Sequence, residues 1–391
     1  MELINRRPGA VILGGHFASL GAARNLAKYG VAVYVVDHEV CISQFSRFVT
    51  RYFRSPPPKE EEKYVEYLKW IALNTNLGGC VLFPSTDEDV RILSQHRNYL
   101  REHFFVTTPA WDVIKFLYDK RLTHQLALTQ RVPVPNTCIP GSMKDLSTLE
   151  MEFPVVLKPG ISTHLSSITK KKAYRANDYR ELTALYEPMA AIMDPSEILV
   201  QELIPGRAEN LYSYFGFFKN GIPLAGYAAK RSRQHPMDFG RASTFAYTIN
   251  IPELEILAKQ LLSGIGYSGL AEVEFMYNPK HARYELLDVN PRIWGWHTLA
   301  IYAGVDLPYL AYADALGEKI PIRPFQEGVK WIRLTTDVLT AAIEIWHGRL
   351  TIGEYLRSIR GSKDAVLSLS DPFPFIMELL LIPYFAKKRG F

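Results

Sequence analysis

The sequence contains little cysteine. Its three cysteines, Cys41, Cys80 and Cys138, lie far apart in a chain of 391 residues, and no two of them have the CxxC spacing. Neither a disulfide framework nor a zinc site is indicated, and the low cysteine content fits a reducing compartment. We therefore expect a cytoplasmic protein.

Long apolar runs are also lacking. No uninterrupted apolar segment approaches the roughly 20 residues that a membrane-spanning helix needs. The first apolar run, residues 10–13, stops at Gly14 and Gly15, so a signal peptide is not expected. The stretch 373–385 is apolar, contains prolines and is followed by the basic residues 387–389. We expect this tail to pack on its own domain, and a peripheral contact with the inner face of the membrane stays open as the alternative.

The excess of positive charge is small. Forty-five Lys and Arg residues stand against 40 Asp and Glu residues, which leaves a net charge of +5. This balance argues against a nucleic-acid partner and suits an enzyme that handles anionic small molecules. The hydrophobic share of 48%, with 25 glycines and 25 prolines, makes disorder, collagen and coiled coil unlikely classes for this chain. At about 150 residues per domain, the length predicts two or three packed units.

The first 110 residues alternate between apolar runs and helical patterns. The unbroken apolar run 31–36 is typical of a strand that is buried on both faces. The alternation predicts a doubly wound parallel sheet, and the missing GxGxxG spacing argues against a dinucleotide site. Ligands of such sheets bind beyond the carboxyl ends of the strands. His16 and Thr86 follow two predicted strands, and they are either substrate-binding residues or ordinary loop residues.

A hairpin predicted over residues 269–292 carries the most informative side chains. Acids among hydrophobic strand residues are costly unless they are paired or bind a metal. The two-residue period of a strand places Glu274 opposite Asp288 and Asn290. An all-oxygen set of this kind suits magnesium, which completes its shell with water and phosphate oxygens. We predict a magnesium site here, with manganese as an alternative metal; for any single acid, a surface-facing strand residue is the alternative.

Several motifs occur in the order found in the ATP-grasp superfamily of ligases, which this sequence resembles over residues 1–310. The motifs are residues 155–159 with the Gly and Ser loop that follows, residues 200–206, residues 271–275 and residues 288–292. The segment 229–240 further resembles the carboxylate-amine ligase branch of that superfamily.

The resemblance implies an α/β fold with a two-part ATP-grasp domain. A doubly wound parallel-sheet domain would span residues 1–110, and an α+β flap residues 111–198. A metal-bearing mixed or antiparallel sheet would span residues 199–325, and a C-terminal extension residues 326–391.

The resemblance also implies an ATP site. Two lysines would bind the phosphates, a Gly and Ser loop would close over them, a hinge would hold adenine and one acid would bind the ribose. These residues are Lys120, Lys158, Gly160, Ser166, Ser167, Gln201, Glu202, Leu203, Ile204 and Glu209. The alternatives are a solvated helix lysine at Lys120, an edge-strand lysine at Lys158, a plain hairpin turn at the loop and a surface acid at Glu209.

Basic residues supply the remaining candidates. By the resemblance, Arg292 would contact the transferring phosphoryl group. Guanidinium groups bind carboxylates bidentately, so the basic loop 230–241 is predicted to hold the acid substrate or to remain a solvated loop. Within it we expect catalytic roles for Lys230 and Arg233, and substrate binding by Arg231, His235 and Arg241. His297 would lie near the acceptor or would be a packed histidine.

The resemblance implies that these residues belong to an ATP-dependent ligase. A substrate carboxylate would attack the γ-phosphorus of ATP, giving an acyl phosphate and ADP, and an amine would displace phosphate to form an amide or peptide bond. The expected partners are a small carboxylate and a small amine, with a homodimer as the base-rate assembly. A carboxylase or carbamoyl enzyme working through carboxyphosphate, and a non-catalytic nucleotide-binding scaffold, stay open as alternatives.

Overall fold

The computed structural model describes residues 7–161, 173–240, 242–320 and 322–389. Within these ranges the strands form three sheets, of five, seven and four strands. None of the described helices combines the length and apolarity needed to cross a membrane.

The first sheet is parallel throughout and has the order β3-β2-β1-β4-β5. Its elements are β1 (Ala10–Leu13), α1 (Phe17–Ala27), β2 (Val33–Asp37), β3 (Arg51–Arg54), α2 (Glu61–Asn74), β4 (Val81–Phe83), α3 (Asp87–Gln95), α4 (Arg97–Leu100) and β5 (Phe105–Val106). The strands β1 and β4 are fully buried, as their unbroken apolar sequences require. The predicted doubly wound domain is confirmed.

The second sheet is a small antiparallel sheet with the order β6-β9-β7-β8. It follows two helices, α5 (Trp111–Tyr118) and α6 (Lys120–Thr129). Its own elements are β6 (Thr137–Cys138), α7 (Met143–Leu146), β7 (Val155–Pro159), β8 (Tyr174–Ala176), α8 (Tyr179–Ile192) and β9 (Ile198–Glu202). This is the flap that the sequence predicts.

The third sheet has the order β14-β13-β10-β11-β12-β15-β16 and is antiparallel except for its last pair. Its strands are β10 (Leu211–Lys219), β11 (Ile222–His235), β12 (Ala242–Ile249), β13 (Gly269–Asn278), β14 (Arg283–Asn290), β15 (Lys330–Ile332) and β16 (Lys363–Asp364). Its helices are α9 (Pro252–Ser263), α10 (Thr298–Tyr302), α11 (Leu307–Ala315), α12 (Leu334–Trp346), α13 (Ile352–Ile359), α14 (Phe373–Leu380) and α15 (Ile382–Arg389).

One hydrophobic core joins the first sheet to the third. Leu20 and Leu26 of α1 lie in the same buried cluster as Phe215 of β10, Trp294 and Leu299. Phe215 stacks on Trp294 with the ring centroids 4.9 Å apart. The N-terminal domain is therefore packed directly against the sheet that carries the predicted metal residues.

Three contacts in the structure concern the expected domain boundaries. Strand β9 pairs with β7, so the flap extends to residue 202, beyond the predicted boundary at 198. Helices α5 and α6 bury apolar residues in the core of the third sheet, and they precede the flap sheet. Strands β15 and β16 extend the third sheet, so residues 326–391 do not stand apart from it.

Candidate functional site

The hairpin of β13 and β14 brings four oxygen-bearing side chains together. Glu274 lies directly opposite Asp288, as predicted, while Asn290 lies opposite Glu272. The amide nitrogen of Asn290 donates to Glu272 Oε2 at 3.1 Å and to Glu274 Oε1 at 2.9 Å. Asn290 thus bridges two carboxylates, and we call these four residues the carboxylate cluster.

Glu272 is the buried member of this cluster, with 2% of its surface exposed. Its Oε1 accepts hydrogen bonds from Ser213 Oγ at 3.1 Å and Trp296 Nε1 at 3.0 Å. Burial raises the pKa of Glu272 above its usual range, and the adjacent Glu274 raises it further. Glu272 is not part of the predicted metal set, although it lies on the same strand face as Glu274.

Cations surround the cluster. Lys120, at the start of α6, forms an ion pair with Asp288. Arg231 of β11 lies 3.2 Å from Glu274 Oε2 and 3.6 Å from Glu272 Oε1, through its Nη2. Each carboxylate is thus neutralised by a side chain of the protein.

Lys158 on β7 is the second predicted phosphate-binding lysine. Its ammonium donates to Gln201 Oε1 at 2.8 Å, and Gln201 in turn donates to Thr137 Oγ1 at 2.7 Å. Burial and the nearby ammonium of Lys120 lower the pKa of Lys158 to about 8, while Asp288 opposes the shift. Two lysines from different elements therefore approach the same carboxylate.

Arg292 connects the cluster to the N-terminal domain. Its Nε donates to Asp87 Oδ1 at 2.6 Å, and its Nη2 donates to Asn290 Oδ1 at 3.0 Å. Asp87 is the first residue of α3. The sequence places Asp87, with Thr86, among the candidate substrate-binding residues after a predicted strand. It does not predict the contact with Arg292, because a partner 205 positions away leaves no local pattern.

The oxygen donors suit a magnesium ion that has few protein ligands better than a metal that is enclosed by protein ligands. In the part of the chain that the structure describes, no group of three or more His, Cys, Asp or Glu side chains is arranged to hold a metal. Glu274, Asp288 and Asn290 nevertheless offer oxygen atoms on neighbouring strands. Magnesium takes few protein ligands and shares its shell with phosphate oxygens, so these three residues suit it.

The described residues that are predicted to bind nucleotide lie on or directly after β7, on β9, at the start of α6, and between β9 and β10. Gly160 connects β7 to α6: its carbonyl accepts from the Lys120 N–H at 2.8 Å. In the hinge, Leu203 N donates to the Pro154 carbonyl at 3.0 Å, and Ile204 is buried. The Glu202 carboxylate accepts from Asn136 Nδ2 at 3.0 Å and from the Glu152 N–H at 2.9 Å. Glu209 is exposed in the turn before β10, and Ser166 and Ser167 lie outside the described residues.

The first half of the predicted basic loop 230–241 belongs to a strand. Residues 222–235 form β11, whose register shifts on both sides of Arg233. Lys230 lies over the Tyr212 ring, 5.2 Å from its centroid, and His235 Nδ1 lies 3.0 Å from Thr340 Oγ1. Arg241 lies outside the described residues. Of the predicted loop residues, the structure brings Arg231 to the carboxylate cluster.

Arg233 contacts α12 rather than the carboxylate cluster. Its Nε and Nη2 donate to the two carboxylate oxygens of Asp337 at 2.9 and 2.8 Å, and its Nη1 donates to Ser358 Oγ at 3.0 Å. Both members of this ion pair are buried. The catalytic role of Arg233 stays a prediction; in this structure its charge is paired with that of Asp337.

His297 is packed in the core. Its side chain is 1% exposed, its Nδ1 lies 2.8 Å from the Trp294 carbonyl oxygen, and burial lowers its pKa to about 4. A methyl group at Gly21 of α1 would lie 3.0 Å from the His297 ring. Of the two readings of His297, the structure favours the packed histidine.

His16 and Thr86 line a separate crevice of about 140 Å³ at the carboxyl ends of β1 and β4. Thr86 caps α3: its hydroxyl accepts from the Asp89 N–H at 3.1 Å, and the Asp89 carboxylate accepts from Thr86. The predicted position of both residues is confirmed. Their role in binding substrate stays a prediction, and for Thr86 the helix cap is a sufficient structural reason.

Comparisons with known proteins give a family match and a curated relative. A family model described as "ATP-grasp in the biosynthetic pathway with Ter operon" matches residues 226–336. The chain is 25% identical over 228 residues to D-aspartate ligase from Enterococcus faecium (strain Aus0004), an alignment that covers 54% of this chain and 53% of that protein. The match thus spans about half the length of this relative.

Two solved structures share the fold. Biotin carboxylase from Campylobacter jejuni, crystallised as a β-γ-ATP complex, has a TM-score of 0.65 at 15% identity, covering 83% of this chain and 74% of that one. L-amino acid ligase from Bacillus licheniformis has a TM-score of 0.60 at 14% identity, covering 80% and 75%. Residues 226–336 thus match an ATP-grasp family, and the chain shares the fold of these solved structures.

Proposed function

We propose that the protein is an ATP-dependent ligase that joins a carboxylic acid to an amine and releases ADP and phosphate. The observation that carries this proposal is the contact between Lys120 and Asp288. Lys158 lies nearby: burial and the charge of Lys120 lower the pKa of Lys158. Lys120 suits a nucleotide phosphate and Asp288 suits a metal, and the two side chains contact each other. The similarity to D-aspartate ligase supports the same reaction class.

The protein's own cations would bind the anions of the reaction. We infer that Lys120 and Lys158 exchange their present partners for ATP phosphates, which carry more negative charge than a carboxylate. Arg231 would bind the carboxylate of the acid substrate, because its guanidinium already holds carboxylates at 3.2 and 3.6 Å. Arg292 would stabilise the charge on the transferring phosphoryl group.

Glu274, Asp288 and Asn290 would hold magnesium. When it is bound, the metal supplies neutralisation of the charge on the phosphate oxygens during transfer. The buried Glu272 would stay in place through its bonds to Ser213 and Trp296 and would keep Asn290 oriented toward the site.

The two chemical steps need no nucleophile from the protein. In the first step, an oxygen of the substrate carboxylate bonds to the γ-phosphorus as the bond to the β–γ bridging oxygen breaks, giving an acyl phosphate and ADP. In the second step, the amine nitrogen bonds to the acyl carbon, phosphate leaves, and the nitrogen loses a proton. The role of the side chains is to position the reactants and stabilise their negative charge.

The test is a product assay over amino acids and amines. We expect release of ADP and phosphate that depends on magnesium, on an acid and on an amine, with an amide detected by mass spectrometry. AMP and pyrophosphate as products would contradict the acyl phosphate. ADP release that needs bicarbonate and no amine would favour carboxyphosphate chemistry, and no turnover with any acid or amine would favour the scaffold.

Two substitutions test the metal assignment. The double variant Glu274→Gln/Asp288→Asn should lose at least a thousandfold in turnover, because it removes both anionic oxygen donors while conserving shape. The matched control is Glu66→Gln, which removes an exposed carboxylate of α2 that pairs with Lys69 and should leave turnover unchanged. Turnover that survives the double change would overturn the assignment.

A further inference from the structure

Helices α12 and α14 carry their polar residues inward and their apolar residues outward. On α12 the buried positions include Asp337, Thr340 and Glu344, whereas Leu339, Ile343 and Trp346 are exposed. An ordinary surface helix has the opposite arrangement. The exposed fraction of Trp346 is 87%, which is unusual for so large an apolar side chain.

The buried acids of these helices have specific cationic partners. Arg233 holds Asp337, Arg207 holds Glu344, and Arg333 holds Glu378 of α14. The ion pairs fix which side of each helix faces the protein. The outward direction of the apolar residues is therefore set by the fold.

The apolar surface continues over the rest of the C-terminal region. Arg333 immediately precedes α12 and donates a hydrogen bond to Glu378, near the end of α14. The start of α12 therefore lies beside the end of α14. Of the 27 large hydrophobic side chains exposed in the described residues, fourteen lie between residues 338 and 384. They are Val338, Leu339, Ile343, Trp346, Ile352, Leu356, Leu367, Leu369, Phe373, Ile376, Leu379, Leu380, Ile382 and Tyr384. We call them the C-terminal apolar surface.

The charges exposed around this surface are almost all positive. Residues 334–388 contain six acids, and Glu354 is the exposed one. All six Lys and Arg residues of the same range are exposed. Four of them form no ion pair with the described part of the chain: Arg357, Arg360, Lys363 and Lys387.

We propose that the C-terminal apolar surface lies on an anionic lipid bilayer. Its apolar side chains would enter the boundary between head groups and acyl chains, and the unpaired Lys and Arg side chains would contact lipid phosphates. A second copy of the chain fits less well, because a twofold contact would bring the same positive charges together. This proposal does not depend on the ligase reaction.

The test is binding of the full chain to lipid vesicles. We expect sedimentation with phosphatidylcholine vesicles that contain phosphatidylglycerol, and at least tenfold weaker binding to phosphatidylcholine alone. The variant Leu339→Ser/Trp346→Ser should bind at least tenfold more weakly than the natural chain. Its matched control, Trp70→Ser, removes a tryptophan that is 52% exposed on α2 and should change nothing.

Two further variants separate the parts of the proposal. Leu379→Ser/Leu380→Ser on α14 should weaken binding independently of α12, which covers the case in which the first variant does not fold. Arg357→Gln/Arg360→Gln should reduce the preference for anionic lipid, with the exposed Arg180→Gln of α8 as its control. Quenching by brominated lipid should disappear in Trp346→Ser and persist in Trp70→Ser.

Three results would overturn the proposal. The first is absence of the chain from both kinds of vesicle pellet. The second is undiminished vesicle binding by both apolar variants. The third is a dimer in solution that dissociates in Leu339→Ser/Trp346→Ser while the natural chain ignores vesicles, since a second copy would then cover this surface.

Discussion

Arg233→Met should destabilise the protein. The change leaves Asp337, which is 0% exposed, without the two hydrogen bonds of 2.9 and 2.8 Å that now neutralise it. Removing one partner of a buried ion pair typically costs about 3–5 kcal/mol. The long apolar chain of methionine keeps much of the packing on Phe245, whose ring centroid lies 4.2 Å from the guanidinium carbon.

The double variant Arg233→Met/Asp337→Leu separates charge from shape. Replacing a buried ion pair by apolar residues is often neutral or stabilising, so we expect it to recover most of the stability lost in the single variant. Urea unfolding measures the free energy of unfolding of each variant, and ADP release measures its ATP turnover. A loss below about 1 kcal/mol in the single variant would refute the structural reasoning. A folded double variant without ATP turnover would support the predicted catalytic role of Arg233.

Two other predictions concern the nucleotide and the crevice. Because the pKa of Lys158 is lowered to about 8, the share of its charged form falls about tenfold between pH 7 and pH 9. Affinity for ATP, measured by calorimetry, should fall by the same factor, and in Lys158→Arg this dependence should vanish; a flat profile in the natural chain would contradict it. Thr86→Ala should cost about 1 kcal/mol in thermal unfolding because it removes the cap of α3. Its KM values should stay unchanged, and a tenfold rise at unaltered stability would identify Thr86 as a substrate ligand.

Local patterns in the sequence predicted the hairpin of β13 and β14 and the pairing of its acids. The pairing of Glu274 with Asp288 depends on one tight turn and the two-residue period of a strand. The parallel order of the first sheet follows from alternating apolar strands and helices in the same way. These features need only residues that are close in the chain.

Features that depend on distant partners could not be predicted. The pair of Arg292 with Asp87 joins two domains, and the residues next to either one form no pattern that predicts it. Strand β11 shifts register on both sides of Arg233, and such bulges redirect side chains in ways that simple alternation does not foresee. Arg231 and Arg233 therefore have different partners although the sequence presents them as one basic group.

The contact between Lys120 and Asp288 has a thermodynamic consequence. While the two are paired, the lysine is not free for phosphate and the carboxylate is not free for a metal. A ligand that takes either partner releases the other, so we expect nucleotide and magnesium to bind cooperatively. By linkage, magnesium must strengthen nucleotide binding by the same factor by which nucleotide strengthens magnesium binding. A single ion pair would thus make the protein responsive to the metal-nucleotide complex and nearly indifferent to either component alone.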